Sequence, residues 1–406
     1  MSARDIVGTL ATRVALIAAG LLSSVITARY LGPDGRGAFF YWTAVMAVIV
    51  QFGNLGLHAS NAYLLTKRGV SAGVLTANSI VVALVVGTGL SVVALVVMHG
   101  LGVMGDARLV TSVALVSLSV GSLCALLGTN LLIALGQVGE FNRVELVTRY
   151  GAVLVLFAAA WQWRDVDAML LAFGLAMLAA AAYTISRVLR HAALEPPSLS
   201  VLRLGFGYGL RAYLLACLGL LVSRINAFIL EPQIDATQYG IWSIAMQFFD
   251  VINVIPASLA IVLFPRILRS DQPDRLLWPQ VGLVVVLLLI VALTFALIGP
   301  YVIHVLYGEA FAPAYWQLLW ALPGVFGVGV TSILSQYLAA QGFPWRLVWI
   351  WVVVAIVQAA LAYLLIPSHG ASGAMLALSV SYLLLMVLVV CLTLSVRRRH
   401  AKASAP

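Results

Sequence analysis

Residues 41–46 read YWTAVM and residues 241–246 read IWSIAM, so tryptophan, a small hydroxyl residue and methionine recur 200 positions apart. Other pairs follow in the same order along the chain, at offsets of 198, 203 and 206. Slowly growing offsets are what a duplication with small loop insertions produces. We therefore predict an internal repeat of six helices. The further pairs are Arg13 with Arg211, Gly139-x-x-x-Arg143 with Gly342-x-x-x-Arg346, and Ala168-Met169-Leu170 with Ala374-Met375-Leu376.

The composition indicates a membrane protein. Hydrophobic residues make up 63% of the chain and charged residues 9%, whereas soluble domains carry about 25% charged residues. A membrane helix needs about 20 apolar residues, and backbone groups in lipid must form hydrogen bonds within their own segment. We predict an all-α integral membrane protein with twelve transmembrane helices. The spans are 6–28, 38–64, 73–98, 109–135, 144–162, 168–190, 204–230, 237–264, 276–300, 312–340, 345–366 and 371–396.

The repeat divides these spans into two domains. We expect an N-terminal six-helix bundle at 1–195 and a C-terminal six-helix bundle at 196–406. Six is an even number, so both bundles cross the membrane in the same sense, with a pseudo-two-fold axis along the membrane normal. Parallel repeats of this kind are typical of transporters whose halves rock around a central site.

The distribution of Lys and Arg predicts the orientation. By the positive-inside rule the richer set of connections faces the cytoplasm, and both termini belong to that set. The net charge of +9 is then explained by topology and the anionic inner leaflet, and we expect no nucleic-acid partner. The richer set holds Arg4, Lys67, Arg68, Arg143, Arg187, Arg190, Arg203, Arg266, Arg269, Arg275, Arg346, Arg397, Arg398, Arg399 and Lys402, and the other set holds Arg29, Arg36, Arg108 and Arg164.

Four arginines lie inside predicted spans. Arg13, Arg149 and Arg211 are each about five to seven residues, or roughly 8–10 Å, from the cytoplasmic start of their helices. Guanidinium groups bind phosphate oxygens in pairs, so we predict a basic substrate-binding ring. The alternative is that these side chains snorkel to the headgroups. Arg224 lies thirteen residues beyond Arg211, and for this side chain a position in the cavity and a position at the headgroups both stay open.

Asp250 lies near the middle of the eighth predicted span. A charge at that depth is costly and usually has a partner or a function. Two roles stay open: an ion pair with an arginine, or the binding of a coupling proton or sodium ion. No other cofactor is expected.

Polar residues at helical spacing predict a lined cavity. One stripe falls on the second span and the other on its repeat partner, the eighth. We select Asn54 and Gln247 as substrate-binding candidates, and the alternative is hydrogen bonding between helices. The first stripe is Asn54, His58 and Asn61, and the second is Gln247, Asp250 and Asn253.

No catalytic or metal-binding pattern is present in the sequence. The three cysteines, Cys124, Cys217 and Cys391, lie in apolar spans without metal-ligand spacing. The phosphate-binding pattern G-x-x-x-x-G-K-[ST] does not occur. Residues 31–37, LGPDGRG, are expected to form a tight external turn in which Pro33 is followed by Asp-Gly.

Four stretches resemble bacterial polysaccharide flippases of the O-antigen type, within the multidrug/oligosaccharidyl-lipid/polysaccharide exporter superfamily. They are RYLGPDGRGAFFYWTAVMAVIVQFGNLGLHASNAYLL (29–65), YGLRAYLLACLGLLVSRINAFIL (208–230), YGIWSIAMQFFDVINVIPASLAIVLFPRI (239–267) and HGASGAMLALSVSYLLL (369–385). The resemblance extends over essentially the whole chain, although its motifs are diffuse.

The resemblance implies a V-shaped pair of six-helix bundles and alternating access. It implies a cargo of undecaprenyl-diphosphate-linked oligosaccharide, moved from the cytoplasmic to the outer leaflet of the bacterial cytoplasmic (inner) membrane, and a polysaccharide polymerase as a further partner. Arg13 and Arg211 match the family's basic cavity positions. Asn226 departs from the pattern, because many relatives carry Asp there, and this weakens an ionic role at that position.

Two other functions compete with the flippase. A cation-coupled drug exporter of the same superfamily would require acidic groups for cationic substrates, and the four membrane arginines argue against it. A membrane glycan polymerase or ligase would require a sizeable external loop, which the short connections do not provide. The sequence does not distinguish O-antigen, exopolysaccharide and capsule pathways, nor the sugar, the coupling ion or the oligomeric state.

Overall fold

A computed structural model of the protein describes residues 3–100, 109–268, 273–340 and 344–403. Gly342, Arg108 and Arg269, which entered the repeat and orientation arguments, lie outside these ranges. Within them the regular structure is helical, with two short 3₁₀ turns and no strand. The α-helices are α1 (Ala3–Gly53), α2 (Leu57–Arg68), α3 (Ala72–Gly100), α4 (Leu109–Ala134), α5 (Val138–Gln162), α6 (Val166–Val188), α7 (Leu199–Leu230), α8 (Ala236–Leu268), α9 (Pro273–Tyr307), α10 (Ala314–Ala340) and α11 (Trp345–Ala403).

The helices have the length and composition of membrane spans. In the described part of the chain, ten helical segments are long and apolar enough to cross a bilayer. Two of them, of 58 and 54 residues, are more than twice the length of about 20 residues that one crossing requires. Each contains a non-helical glycine, Gly32 in α1 and Gly370 in α11. The all-α membrane fold is confirmed, and the count of twelve crossings stays a prediction.

The turn expected at residues 31–37 is placed differently in the structure. Gly32 alone leaves the helical region, with φ of 67°, and the helix resumes at Pro33, a residue suited to a first helical turn. Gly35 is helical, and a Cβ there would lie 3.2 Å from Val166 Cγ2 on α6. The prediction of a Pro-Asp-Gly turn was therefore wrong in position, because the second glycine serves close helix packing.

The second predicted span is interrupted. Leu55 and Gly56 have φ of 51° and 74°, and they separate α1 from α2. The Asn54 side chain accepts a hydrogen bond from the Gly56 N–H at 2.8 Å, a local bond that competes with helical pairing. The prediction of one polar stripe on a continuous second helix was therefore wrong. Asn54 lies in the break between α1 and α2, whereas His58 and Asn61 lie on α2.

The chain divides into two compact units, Met1–Cys217 and Leu218–Pro406, here named the N-terminal unit and the C-terminal unit. The division falls within α7, whereas the sequence places a boundary between residues 195 and 196. The assignment of six-helix bundles to 1–195 and 196–406 stays a prediction.

Each unit contains the same close helix contact. In the N-terminal unit a Cβ on Gly121 of α4 would lie 2.5 Å from the Met177 backbone of α6. In the C-terminal unit a Cβ on Gly327 of α10 would lie 2.4 Å from the Tyr382 backbone of α11. Small residues let membrane helices approach closely. The two glycines are related by an offset of 206, as the predicted repeat would require, and the duplication of six helices stays a prediction.

The connection from α6 to α7 is bound to α3 within the N-terminal unit. Asn78 accepts from the Ser198 N–H at 2.8 Å and donates to the Ser198 carbonyl at 3.0 Å. At the start of α3, the Ser71 hydroxyl donates to the Glu195 carboxylate. These bonds position the beginning of α7, the helix that carries Arg211 and Arg224.

Candidate functional site

The first polar region lies on α1 and α5 of the N-terminal unit, which run side by side in the same direction. A Cβ on Gly8 would lie 4.0 Å from Asn142 Nδ2. Seven or eight residues further along both helices, the Tyr150 hydroxyl donates to the Ala15 carbonyl at 2.9 Å. Contacts that advance together along two helices establish a parallel pair.

This parallel packing brings Arg13 and Arg149 to one level. Arg13 precedes Ala15 by two residues and Arg149 directly precedes Tyr150, so their backbones differ in height by about 1.5 Å. The Arg149 side chain is exposed and Arg13 is half-buried. Neither forms an ion pair with a described residue. Two positive charges at the same height on neighbouring helices, without a carboxylate partner among the described residues, are suited to a polyvalent anion.

Arg211 belongs to the same unit and is also exposed, with an interaction to a neighbouring group. Its turn of α7 lies against the break between α1 and α2. The Tyr213 hydroxyl donates to the Phe52 carbonyl at 2.7 Å, and a Cβ on Gly209 would lie 3.0 Å from the Gly56 carbonyl oxygen. The N-terminal unit thus contains all three arginines of the predicted ring, and their role as a ring stays a prediction.

Asn54 is engaged at the helix break. It is 1% exposed, its amide donates to the Gln51 carbonyl at 2.6 Å, and its Oδ1 lies 2.8 Å from His58 Nδ1. Asn61, 2% exposed, donates to a serine hydroxyl of α3 at 3.2 Å. These polar groups connect segments of the protein, the alternative that the sequence left open. Substrate binding by Asn54 stays a prediction.

The second polar region is an ion pair inside the C-terminal unit. Arg224 Nη2 on α7 donates to Asp250 Oδ2 on α8 at 2.7 Å, and the side chains are 18% and 33% exposed. Pairing offsets part of the cost of removing both charges from water. The other guanidinium nitrogen, Nη1, is buried and has no hydrogen-bond partner among the described residues. Of the two roles open for Asp250, the structure shows pairing.

Tyr382 of α11 connects this ion pair to its surroundings. Its hydroxyl lies beside Ser223 and is close enough to Arg224 and Asp250 to interact electrostatically with both. Its ring stacks on Phe249 with 5.9 Å between centroids. Tyr382 is 4% exposed and is also one of the residues that line a cleft of the C-terminal unit.

A neutral amide network lies next to the ion pair, and sequence reasoning missed it. Gln358 Nε2 donates to Asn226 Oδ1 at 2.6 Å, and Asn226 Nδ2 donates to the Ala374 carbonyl at 2.6 Å. Both amide side chains are fully buried. Gln358 was the available signal, because it is the one polar residue in the run VVVAIVQAALAYLL. An amide at position 226 provides a donor and an acceptor without a charge.

Gln247, the remaining candidate, is half-buried on α8 and has no hydrogen bond to a described residue. Asn253, two turns further along, donates to the Phe249 carbonyl of its own helix at 2.9 Å. Gln247 is therefore available to a ligand, and its role stays a prediction. Among the described residues no group of three His, Cys, Asp or Glu side chains is placed to hold a metal ion.

Comparison with known proteins identifies the family. The model of the polysaccharide biosynthesis protein family matches residues 6–271. An inward-facing multidrug resistance MATE family transporter of the MOP superfamily aligns with a TM-score of 0.77 at 14% identity, over 96% of each chain. The lipid II flippase MurJ, in an inward closed conformation, aligns with a TM-score of 0.70 at 13% identity, over 96% of this chain and 87% of that one.

A MOP superfamily transporter from Pyrococcus furiosus aligns with a TM-score of 0.64 at 14% identity, over 99% of this chain and 96% of that one. No curated protein matches the sequence. At these identities the solved structures establish the fold, and the family model establishes the family. The resemblance read from the sequence is confirmed: the chain belongs to the polysaccharide biosynthesis protein family and is a multi-pass membrane protein with the fold of the MOP superfamily transporters.

Proposed function

We propose that this protein is a flippase that moves undecaprenyl-diphosphate-linked oligosaccharide from the cytoplasmic to the outer leaflet of a bacterial inner membrane by alternating access. The observation that carries the proposal is the pair Arg13 and Arg149, level on parallel helices and without an ion-pair partner among the described residues. The family, whose description is polysaccharide biosynthesis, supports a glycan cargo.

The arginines would bind the diphosphate. A guanidinium stays charged at every accessible pH and donates to two phosphate oxygens at once. In the orientation that the Lys and Arg distribution predicts, Arg13, Arg149 and Arg211 lie in the cytoplasmic half of the membrane, where the loaded lipid is made. The prenyl chain stays in lipid, while Gln247 is available for the polar part of the cargo.

Asp250 is the candidate for coupling. A proton on its carboxylate, or a sodium ion bound to it, would weaken the 2.7 Å bond to Arg224 and release a guanidinium that already has a buried nitrogen without a partner. Arg224 would then be free to bind substrate. Removal of the product by a polysaccharide polymerase is a second source of direction.

A cation-coupled drug exporter is the competing function. Binding of a cationic drug within the membrane requires a carboxylate that is not already neutralised. Asp250 is paired with Arg224, while Arg13 and Arg149 have no such partner in the described part of the chain. This imbalance of charge favours an anionic cargo.

The test is the leaflet distribution of diphosphate-linked oligosaccharide in cells that lack the protein and are complemented with variants. Arg149→Ala removes a charge-assisted hydrogen bond, so we expect a roughly 10- to 100-fold loss of transfer, with lipid accumulating in the cytoplasmic leaflet. Arg143→Ala is the matched control, because Arg143 is an exposed arginine of the same helix, six residues nearer its start, and it should behave as wild type.

Three results would count against the proposal. A normal distribution in cells without the protein, with other flippases removed, contradicts the flippase function. If Arg143→Ala and Arg149→Ala reduce lipid transfer equally, the reduction reflects a general effect of surface charge and not diphosphate binding by Arg149. Increased sensitivity of the deletion strain to cationic drugs, with normal lipid transfer, favours the exporter.

A further inference from the structure

The C-terminal unit contains a cleft of 340 Å³ between α8, α10 and α11. Its volume falls within the range of about 300–1,000 Å³ that is typical of small-molecule sites. Its polar and aromatic lining consists of Thr331, Ser332, Ser335, Gln336, Trp351 and Tyr382, and the remaining lining residues are aliphatic. The ion pair and the amide network described above do not form its wall.

Thr331 carries the argument that this cleft binds a ligand. The residue is 3% exposed, and its hydroxyl is buried without a hydrogen-bond partner among the described residues. A threonine inside a helix usually donates to the carbonyl four residues earlier. Its neighbour Ser332 does so, to the Val328 carbonyl at 2.8 Å. The hydroxyl of this cleft-lining residue is therefore an unsatisfied polar group at the wall of the cleft, which a native structure rarely leaves without a reason.

Polar residues that line the cleft differ in their hydrogen bonding from the residues at the corresponding positions of the N-terminal unit. At the offset of 206 that relates Gly121 to Gly327, Thr129 and Asn130 correspond to Ser335 and Gln336. Thr129 and Asn130 both donate to the Leu126 carbonyl, at 3.0 and 2.8 Å. Ser335 and Gln336 form no hydrogen bond with a described residue, so the same region of α10 presents polar groups to the cleft.

The chemistry of the lining selects a neutral ligand with many hydroxyl groups. None of the cleft-lining residues is charged, so a diphosphate or a cationic drug would lose its hydration without a compensating partner. Hydroxyl and amide groups can exchange hydrogen bonds with sugar hydroxyls. Trp351 and Tyr382 supply aromatic faces with an apolar body and a polar edge, suited to the mixed surface of a sugar ring.

We propose that this cleft binds a neutral sugar residue of the glycolipid cargo, separately from the arginines that bind its diphosphate. The proposal rests on the proposed function and refines it. Thr331 and Gln336 lie in the second half of α10, and Trp351 is the seventh residue of α11. In the predicted orientation these positions are in the cytoplasmic half, on the side where the loaded lipid enters.

The experiment measures transfer between leaflets by the purified full-length protein in liposomes, with two lipids in parallel. One is undecaprenyl diphosphate that carries a neutral oligosaccharide, and the other is undecaprenyl diphosphate without sugar. Thr331→Val keeps the shape and removes the hydroxyl, and Gln336→Leu removes the amide. Thr129→Val is the control, because it makes the same substitution at a threonine whose hydroxyl already donates to the Leu126 carbonyl in the N-terminal unit. Thr331→Ser restores the hydroxyl.

We expect Thr331→Val and Gln336→Leu each to slow transfer of the sugar-bearing lipid by about three- to tenfold, the effect of a lost neutral hydrogen bond. Transfer of the lipid without sugar should stay within twofold of wild type. Thr129→Val should leave both rates unchanged, and Thr331→Ser should recover most of the rate. Gln336 is only half-buried, so its variant tests the proposal even when a substitution at Thr331 impairs folding.

Other outcomes overturn the proposal and are distinguishable. If the variants slow transfer of both lipids equally, or of neither, the cleft does not bind the sugar. The proposed flippase function is unaffected by that result. If Trp351→Ala slows transfer of both lipids while Thr331→Val transfers both at the wild-type rate, the cleft binds the prenyl chain and not a sugar. Failure of the wild-type protein to move either lipid refutes the proposed function itself.

Discussion

The N-terminal and C-terminal units share a helical framework but use membrane-embedded charge differently. Both contain a glycine that brings two helices into backbone contact, Gly121 in one and Gly327 in the other. The N-terminal unit carries Arg13 and Arg149 without ion-pair partners among the described residues, whereas the C-terminal unit neutralises Arg224 with Asp250. The two units thus share a packing contact and differ in how their charged residues are paired.

The repeat locates this divergence. Trp42 and Trp242 correspond at an offset of 200, and eight residues later Val50 stands where the C-terminal unit has Asp250. The N-terminal unit therefore has no carboxylate at the position equivalent to Asp250. The difference suggests a division of work, with anion binding in one unit and a paired, switchable charge in the other.

The largest effect is expected from breaking the ion pair. Asp250→Ala leaves a guanidinium that is only 18% exposed without its partner. Removal of one member of a buried pair costs 3–5 kcal/mol, so about 3 kcal/mol is expected for this partly exposed one. Thermal unfolding of the purified protein in detergent measures the loss. The double variant Asp250→Leu with Arg224→Met should recover most of it, and equal destabilisation in both variants would contradict an ion-pair origin.

The next effect tests whether the two units are equivalent in packing. Gly121→Ala places a methyl group 2.5 Å from the backbone of a facing helix, and Gly327→Ala places one at 2.4 Å. A helix backbone cannot move aside as a side chain does. Overpacking of this kind costs about 2 kcal/mol. Similar losses of thermal stability in the two variants would support equivalent contacts. Gly89→Ala, where nothing lies within 4 Å, should be neutral.

The smallest effect concerns the connection that the N-terminal unit holds in place. Asn78→Ala removes both hydrogen bonds to Ser198, at a cost of about 1 kcal/mol. The exposed connection that contains Arg190 should then be cleaved faster by trypsin. Ser91→Ala is a control in the same helix, because the Ser91 hydroxyl donates to the Gly87 carbonyl of its own helix, and it should be cleaved at the wild-type rate. Cleavage of Asn78→Ala at the wild-type rate would contradict the role of Asn78 in anchoring the connection.

Local sequence features predicted the class of the protein well but its helix breaks less well. Apolar length identifies a membrane helix because the cost of backbone and side chains in lipid is summed residue by residue. The break at Asn54 was missed because the polar residues of the stretch QFGNLGLH (51–58) were interpreted as a cavity-lining stripe. A side-chain hydrogen bond of Asn54 and a left-handed Gly56 end the helix there. The turn at Gly32 was misplaced because residues 31–37 contain three glycines, and the sequence does not show which of them adopts a positive φ.

The sequence by itself determined that this is a helical membrane protein, and it predicted an internal repeat and arginines within the membrane spans. Each of those properties is carried by composition, spacing or offset along the chain. It did not determine which arginine pairs with Asp250, or that Asn226 and Gln358, 132 residues apart, share a hydrogen bond. Those partners depend on how each helix is rotated about its axis and which neighbour it packs against, and only the assembled helices define that.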